Sequence, residues 1–322
     1  MDILNILKAA LENGLIWGLL VLGVYLSYRV LDLADLGIEG TFPFGACLVA
    51  LLIYKGVPPL VATFCAVIGG SLVGVLTGVL HAKFKIPAIL AGIITMTGLW
   101  SINLFILGLS KEFGATLANL TIKDTIFVDF TNLLINNLSF GSVVLWKYIG
   151  RLCIVGVSVF ISFVGIYYFF GTTLGMSVRA TGINGRMARA QGINTKNMII
   201  LGLAISNALV ALSGALLAQR LSTATVDMGR GTIVIGLAAI IIGEAIFRKR
   251  DFKRSLISVL VGSIIYQLLE AVAVELQVDN YLKLVVAIII TVILTIPLIT
   301  SNVSKKMGLY DKYTKTGGGS KC

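Results

Sequence analysis

The chain has 322 residues, of which 57% are hydrophobic and only 13% charged, and it carries a net charge of +11. Soluble domains carry about a quarter of their residues as charges, so an aqueous globular fold is excluded. The positive charge does not mark a nucleic-acid binder, because it lies in short stretches between apolar runs, as in a polytopic membrane protein.

The apolar runs fall at about 14–31, 41–54, 57–80, 86–108, 149–170, 198–219, 232–247, 255–275 and 281–300. A membrane crossing needs about 20 residues. The first run is long enough and lacks a small-residue cleavage site, so it reads as a span and not a leader. The runs at 41–54 and 232–247 are short, and each follows a glycine-rich acidic phrase. The first phrase is DLGIEGTFPFG (35–45) and the second is DMGRGTIVIG (227–236). Each run becomes a full crossing if its phrase enters the membrane as a break or half-helix, which is tolerated where backbone is buried in protein or lines a cavity.

The basic stretches set the orientation. They are 81–85, 171–197 (Arg179, Arg186, Arg189 and Lys196), 248–254 and the tail after 300. Placing all four in the cytoplasm requires nine crossings with the amino terminus outside and the carboxyl terminus inside. In that frame the runs after Asp35 and Asp227 are antiparallel. Oppositely directed repeats with interrupted helices are a transporter pattern and point to a path between the halves. The expected fold is an all-α polytopic membrane protein of about nine crossings, with two interrupted helices and an inverted repeat. One transmembrane domain covers 1–313, with an external loop at 109–148, and 314–322 reads as a flexible tail.

Polar residues inside apolar runs are costly and face a cavity or a partner. The candidates for a path are Asp35, Gly37, Glu39, Thr41, Asn103, Asp227, Thr232 and Glu270. Asp35 and Glu39 would share one face of a helix. Capping of a half-helix amino terminus competes with a gating role for Asp35 and Asp227. Arg29 and Arg220 lie close before them and are candidate ion-pair partners. Gly70, Gly74 and Gly78 form a stripe for close helix packing within one subunit. No phosphate-binding G-x-x-x-x-G-K-[ST] motif, metal-ligand spacing or catalytic constellation is present, and His81 reads as an interfacial side chain.

The stretch GTTLGMSVRATGINGRMARAQGIN (171–194) reads as a short cytoplasmic helix punctuated by glycines and arginines. Its phrase at Gly175, Arg179, Ala180, Gly182, Asn184, Met187, Ala188, Gly192, Ile193 and Asn194 resembles the coupling loop of bacterial ABC importer permeases. DLGIEGTFPFGA (35–46) resembles a signature of the branched-chain amino acid/ribose superfamily, with Gly37 replacing a serine. SINLFILG (101–108) and the stretch 227–238 are similar to the tryptophan/tyrosine-type permease branch, with Asp227 at an asparagine position and Phe105 where an arginine is common.

The resemblance spans about residues 12–300. It implies the permease subunit of an ATP-driven importer in the bacterial plasma membrane, carrying an aromatic amino acid or similar small solute. A second copy of the chain would complete the pore. A cytoplasmic ABC ATPase dimer would bind ATP and Mg, and an extracellular substrate-binding lipoprotein would deliver the solute. The coupling residues implied are Arg179, Gly182, Asn184, Arg186, Met187, Arg189, Gly192 and Ile193. No cofactor or nucleic acid is expected on this chain, and its only other partners are membrane lipids. The alternative is an ion-coupled secondary transporter using Asp35, Glu39 and Asp227.

Overall fold

The computed structural model describes residues 3–109, 120–121, 125–128, 143–247, 251–275 and 291. Its helices are α1 (Ile3–Tyr25), continued by a π-turn at Leu26–Val30, then α2 (Ile38–Tyr54), α3 (Pro59–Ala82) and α4 (Ala88–Gly108). After these come α5 (Val143–Gly171), α6 (Thr173–Ile183), α7 (Gly185–Ala190), α8 (Thr195–Leu221), a 3-10 turn at Val226–Gly229, α9 (Thr232–Ile246) and α10 (Phe252–Glu275). Among the described residues, seven helical segments are long and apolar enough to cross a membrane, and α2, at 17 residues, is shorter. The ninth expected run, 281–300, lies outside the described residues apart from Thr291. Residues up to Ala271 form one compact unit; of the second, Val272–Cys322, only the end of α10 and Thr291 are described.

Lipid tails are as apolar as leucine, so helices in a bilayer associate through close packing and hydrogen bonds rather than a hydrophobic force. The helix α8 is built for this and packs against α1, α2 and α3. A Cβ added to Gly74 would strike the Leu203 carbonyl, and one on Gly70 would strike Ala211. Gly45 lies against Ala211, and Gly214 against the Phe42 carbonyl. The expected glycine stripe on α3 therefore packs within the subunit. Ser206 Oγ donates to the Gly23 carbonyl at 2.7 Å and Ser213 Oγ to that of Ile16 at 2.7 Å, fastening α8 to α1.

The two ends of the helix set differ. At one end a two-residue strand β1 (Leu120–Thr121) pairs antiparallel with β2 (Thr223–Ala224), directly after α8. The Gln219 amide bridges the same end, donating to Thr63 Oγ1 at 2.7 Å and accepting from Ile126 N at 3.1 Å. At the other end α6 lies beside the π-turn, and α7 follows it. Here a Cβ on Gly182 would strike the Val30 carbonyl.

Candidate functional site

The two glycine-rich phrases meet. Glu39, in the first turn of α2, accepts a hydrogen bond from Gly231 N at 3.2 Å, at the start of α9. Gly231 takes φ +82, a left-handed backbone that glycine adopts without strain, and this turns the chain into α9. Pro43 sits inside α2 and has no N–H for the Glu39 carbonyl four residues back. That carbonyl abuts Gly229, where any Cβ would collide with it.

The helices that follow the phrases run in opposite senses. Thr41 bonds Asn207 and Gly45 abuts Ala211, so α2 runs parallel to α8. Gly23 faces Ser206 and Ile16 faces Ser213, so α1 is antiparallel to α8. Gly236 packs on Leu20 and Val24 while Glu244 pairs with Arg29, so α9 runs with α1. Both short helices thus start in the interior, beside the middle of longer ones, and head for opposite ends.

Asp35 holds the start of α2. It is buried, and its Oδ1 accepts from Gly37 N at 2.9 Å, as a capping carboxylate does. Its Oδ2 accepts from Asn207 Nδ2 at 2.8 Å, and Thr41 Oγ1 donates to Asn207 Oδ1 at 2.7 Å. A Cβ on Gly37 would press on Asp35 Oδ1, and Thr77 and Thr95, which share a 3.0 Å hydrogen bond, lie just beyond. Asp35 precedes the helix and turns toward α8, while Glu39 turns toward α9, so they do not share one face.

Asp227 has a different environment. Its side chain is 63% exposed in the 3-10 turn and pairs with Arg230 at 2.8 Å. It does not cap α9. The nearby arginines also went elsewhere than the sequence indicated. Arg29 forms a two-pronged ion pair with Glu244, through Nε at 2.9 Å and through Nη2. Arg220 Nε bonds Glu12 at 2.9 Å. These partners lie about 200 residues away in sequence, beyond any local reading. Thr232 Oγ1 donates to the Gly229 carbonyl at 3.0 Å, and Glu270 accepts from Gln267 at 2.7 Å on α10.

Beside that meeting point is a small recess. It is lined by Glu39, Gly40, Met96, Trp100, Asn103 and Arg230 together with Pro43, Val226 and Gly229. Asn103 is 0% exposed; its Nδ2 donates to the Gly40 carbonyl at 3.3 Å, and its Oδ1 has no partner. The Arg230 guanidinium stands 5.4 Å from the Trp100 ring centroid at the mouth. Glu39 and Asn103 stand out in the sequence as polar residues in apolar runs, whereas Pro43, Trp100 and Arg230 do not.

The segment 172–194 forms two short helices with well-defined stops. Thr172 caps α6, its Oγ1 accepting from Gly175 N at 3.2 Å. Asn184 caps α7 by accepting from Arg186 N at 3.1 Å and Met187 N at 3.0 Å. Gly192 ends α7 at φ +81, with Gly192 N donating to the Arg189 carbonyl and Ile193 N to that of Ala188. Gly182 is packed on the π-turn, and Arg179 lies over the Phe252 ring at 4.8 Å. Asn184, Gly192, Gly182 and Arg179 therefore shape and anchor the segment, while Arg186, Arg189 and Met187 face outward. Ile183, which is not among the expected coupling residues, is 83% exposed beside them.

Among the described residues no group of His, Cys, Asp and Glu could hold a metal ion. Residues 6–295 match a family described as branched-chain amino acid transport system / permease component. The chain is 36% identical, over 88% of its length and 88% of the relative's, to a tyrosine transport system permease protein of Clostridioides difficile (strain R20291). It is 30% identical, over 91% of its length and 98% of the relative's, to an uncharacterised protein of Rickettsia prowazekii (strain Madrid E). No solved structure gives a significant match.

Proposed function

The chain belongs to the branched-chain amino acid transport system permease family, and from that premise we propose that it forms the membrane path of an ATP-driven importer whose solute is tyrosine or a related amino acid. That it is an importer permease for an amino acid follows from the family and from a tyrosine permease relative that covers most of the chain. The ion-coupled alternative is not favoured: Asp35 is committed to Gly37 and Asn207, and Asp227 is exposed beside Arg230.

The observation that carries the path is the meeting of the two phrases in the interior, with α2 and α9 leaving it in opposite directions. This supports an inverted repeat of interrupted helices flanking a midplane site, within a fold of nine crossings. The helix α4 exposes Thr97, Gly98 and Ser101 along an otherwise apolar surface. Polar and small residues on a membrane helix belong against protein or a cavity rather than lipid, which supports a second copy of the chain enclosing the pore. The exposed Arg186, Met187, Arg189 and Ile183 support docking of a cytoplasmic ATPase on α6 and α7. The ATPase would bind ATP and Mg, and an external binding protein would deliver solute to the β1–β2 end.

The test is reconstitution with the partner ATPase and binding protein in vesicles. Accumulation of labelled L-tyrosine should require ATP and stop with a hydrolysis-dead ATPase. Uptake that persists without hydrolysis, or that follows a proton or sodium gradient instead, would overturn the reading.

A further inference from the structure

We propose that the recess between α2, α4 and the 226–231 segment takes the charged headgroup of an α-amino acid. Glu39 and Asn103 Oδ1 would accept from its ammonium, and Arg230 would face its carboxylate. The proposal rests on the amino acid reading above and deepens it.

Three features of the recess carry it. The first is size. The free space is about 30 Å³, enough for one or two water-sized groups. An ammonium is about the size of a water molecule, so the ammonium end of a headgroup fits inside, its carboxylate stays at the mouth beside Arg230, and an aromatic side chain is excluded. The second is the unmet acceptor. Asn103 is fully buried and lines the recess, yet its Oδ1 bonds nothing, and a buried acceptor left unpaired is costly. An ammonium brings three donors and no acceptor, which suits a lining of oxygens. The third is charge. One carboxylate, Glu39, and one guanidinium, Arg230, line the same recess. Glu39 also accepts from Gly231 N, and Arg230 also pairs with Asp227, which does not line it, so a bound headgroup would share these partners. An α-amino acid zwitterion carries an ammonium and a carboxylate on one carbon and is matched by such neighbours; an uncharged solute is not.

The arrangement also indicates where the rest of the solute goes. Trp100 and Arg230 stand at the mouth, with Arg230 over the ring face. The side chain of the amino acid would project past them, toward the exposed Thr97–Ser101 surface of α4. The recess would then read the headgroup common to amino acids and leave the side chain to the walls of the pore. A water molecule alone would also satisfy Asn103 Oδ1, and the experiment must separate that occupant from an ammonium.

Replacing Trp17 and Trp146 by Phe leaves Trp100 as the single tryptophan of the full-length protein. Its emission is titrated in lipid nanodiscs with L-tyrosine, with tyramine, which lacks the carboxylate, and with 3-(4-hydroxyphenyl)propionate, which lacks the ammonium. L-tyrosine should give a saturable change, and each half-analogue should bind at least tenfold more weakly. E39Q should lower L-tyrosine affinity at least tenfold and abolish the preference over 3-(4-hydroxyphenyl)propionate. N103L, of similar size on a helix interior, should weaken L-tyrosine in the same direction without altering helix content.

Parent-like binding in both E39Q and N103L, or equal binding of L-tyrosine and 3-(4-hydroxyphenyl)propionate, would overturn the proposal and leave the recess to water. If the complete transporter accumulates L-tyrosine but Trp100 never responds, the subsite is wrong and the transport function stands. If the complete transporter accumulates no amino acid, the transport function itself fails.

Discussion

The buried polar triad of Asp35, Asn207 and Thr41 shows what one residue can do at a helix start. Asp35 bonds the backbone of its own phrase and the side chain of a residue on α8 at the same time. Asn207→Leu would leave Asp35 Oδ2 without its partner, while the Thr41 hydroxyl keeps the Gly37 carbonyl at 3.1 Å. A stranded buried partner costs about 1–3 kcal/mol. We expect a clear drop in the thermal unfolding temperature of N207L in detergent, larger than that of a polar-to-Leu change at exposed Thr97. Gly74→Leu should be worse. Its side chain must displace the Leu203 carbonyl, and overpacking of this kind costs about 1–3 kcal/mol or more. A G74L protein that purifies with the parent's melting temperature would mean that α3 and α8 do not touch there. At this scale the sequence was partly legible. Burial costs alone flagged Asp35, Glu39 and Asn103, because charges and amides inside apolar runs stand out. The partners were not legible: Glu39 with Gly231, Arg29 with Glu244 and Arg220 with Glu12 each join residues about 200 positions apart, and nothing local encodes that.

At the scale of elements, the short runs at 41–54 and 232–247 were the most informative feature of the sequence. Each proved to be a helix of 15–17 residues that starts in the interior. A run of that length falls short of the roughly 20 residues that a crossing needs, which is why the sequence singles them out. The mechanics of the 172–194 segment were less legible, because motif positions do not distinguish a side chain that anchors a helix from one that faces a partner. Gly182 and Arg179 touch the π-turn and α10, whereas Arg186, Met187 and Ile183 point away from the protein. This division gives a prediction. R186E should leave folding and expression intact but break the link between ATP hydrolysis and uptake, since it reverses a charge only at the outer surface. Arg179→Ala, by contrast, should lower stability by loosening α6 from Phe252, a stacking contact worth about 0.5–2 kcal/mol. Side-by-side measurements of melting, hydrolysis and accumulation separate the two roles. Parent-level accumulation in R186E would remove that residue from the docking surface.

For the whole molecule, the helix directions make the topology a testable geometric statement. Because α2 runs parallel to α8, Lys55 at the end of α2 lies at the same end as the β1–β2 pair that follows α8. Because α3 runs back along α8, with Gly70 beside Ala211 and Gly78 beside Ile200, Lys83 lies at the opposite end, where α6 and α7 begin. The basic stretches 81–85 and 171–197 are therefore brought to one end by packing that owes nothing to their charge. Cytoplasmic loops retain lysine and arginine, so we propose that this end faces the cytoplasm. In a background with Cys47, Cys65, Cys153 and Cys322 replaced by Ser, single cysteines at Lys55, Lys83 and Arg186 should behave as two classes. Lys55→Cys should react with a membrane-impermeant maleimide in intact cells. Lys83→Cys and Arg186→Cys should react only after permeabilisation. The reverse pattern would invert the orientation while keeping the fold. Lys55 and Lys83 on one side would contradict the crossing of α3 itself, and with it the opposed directions of α2 and α9 on which the transport path depends.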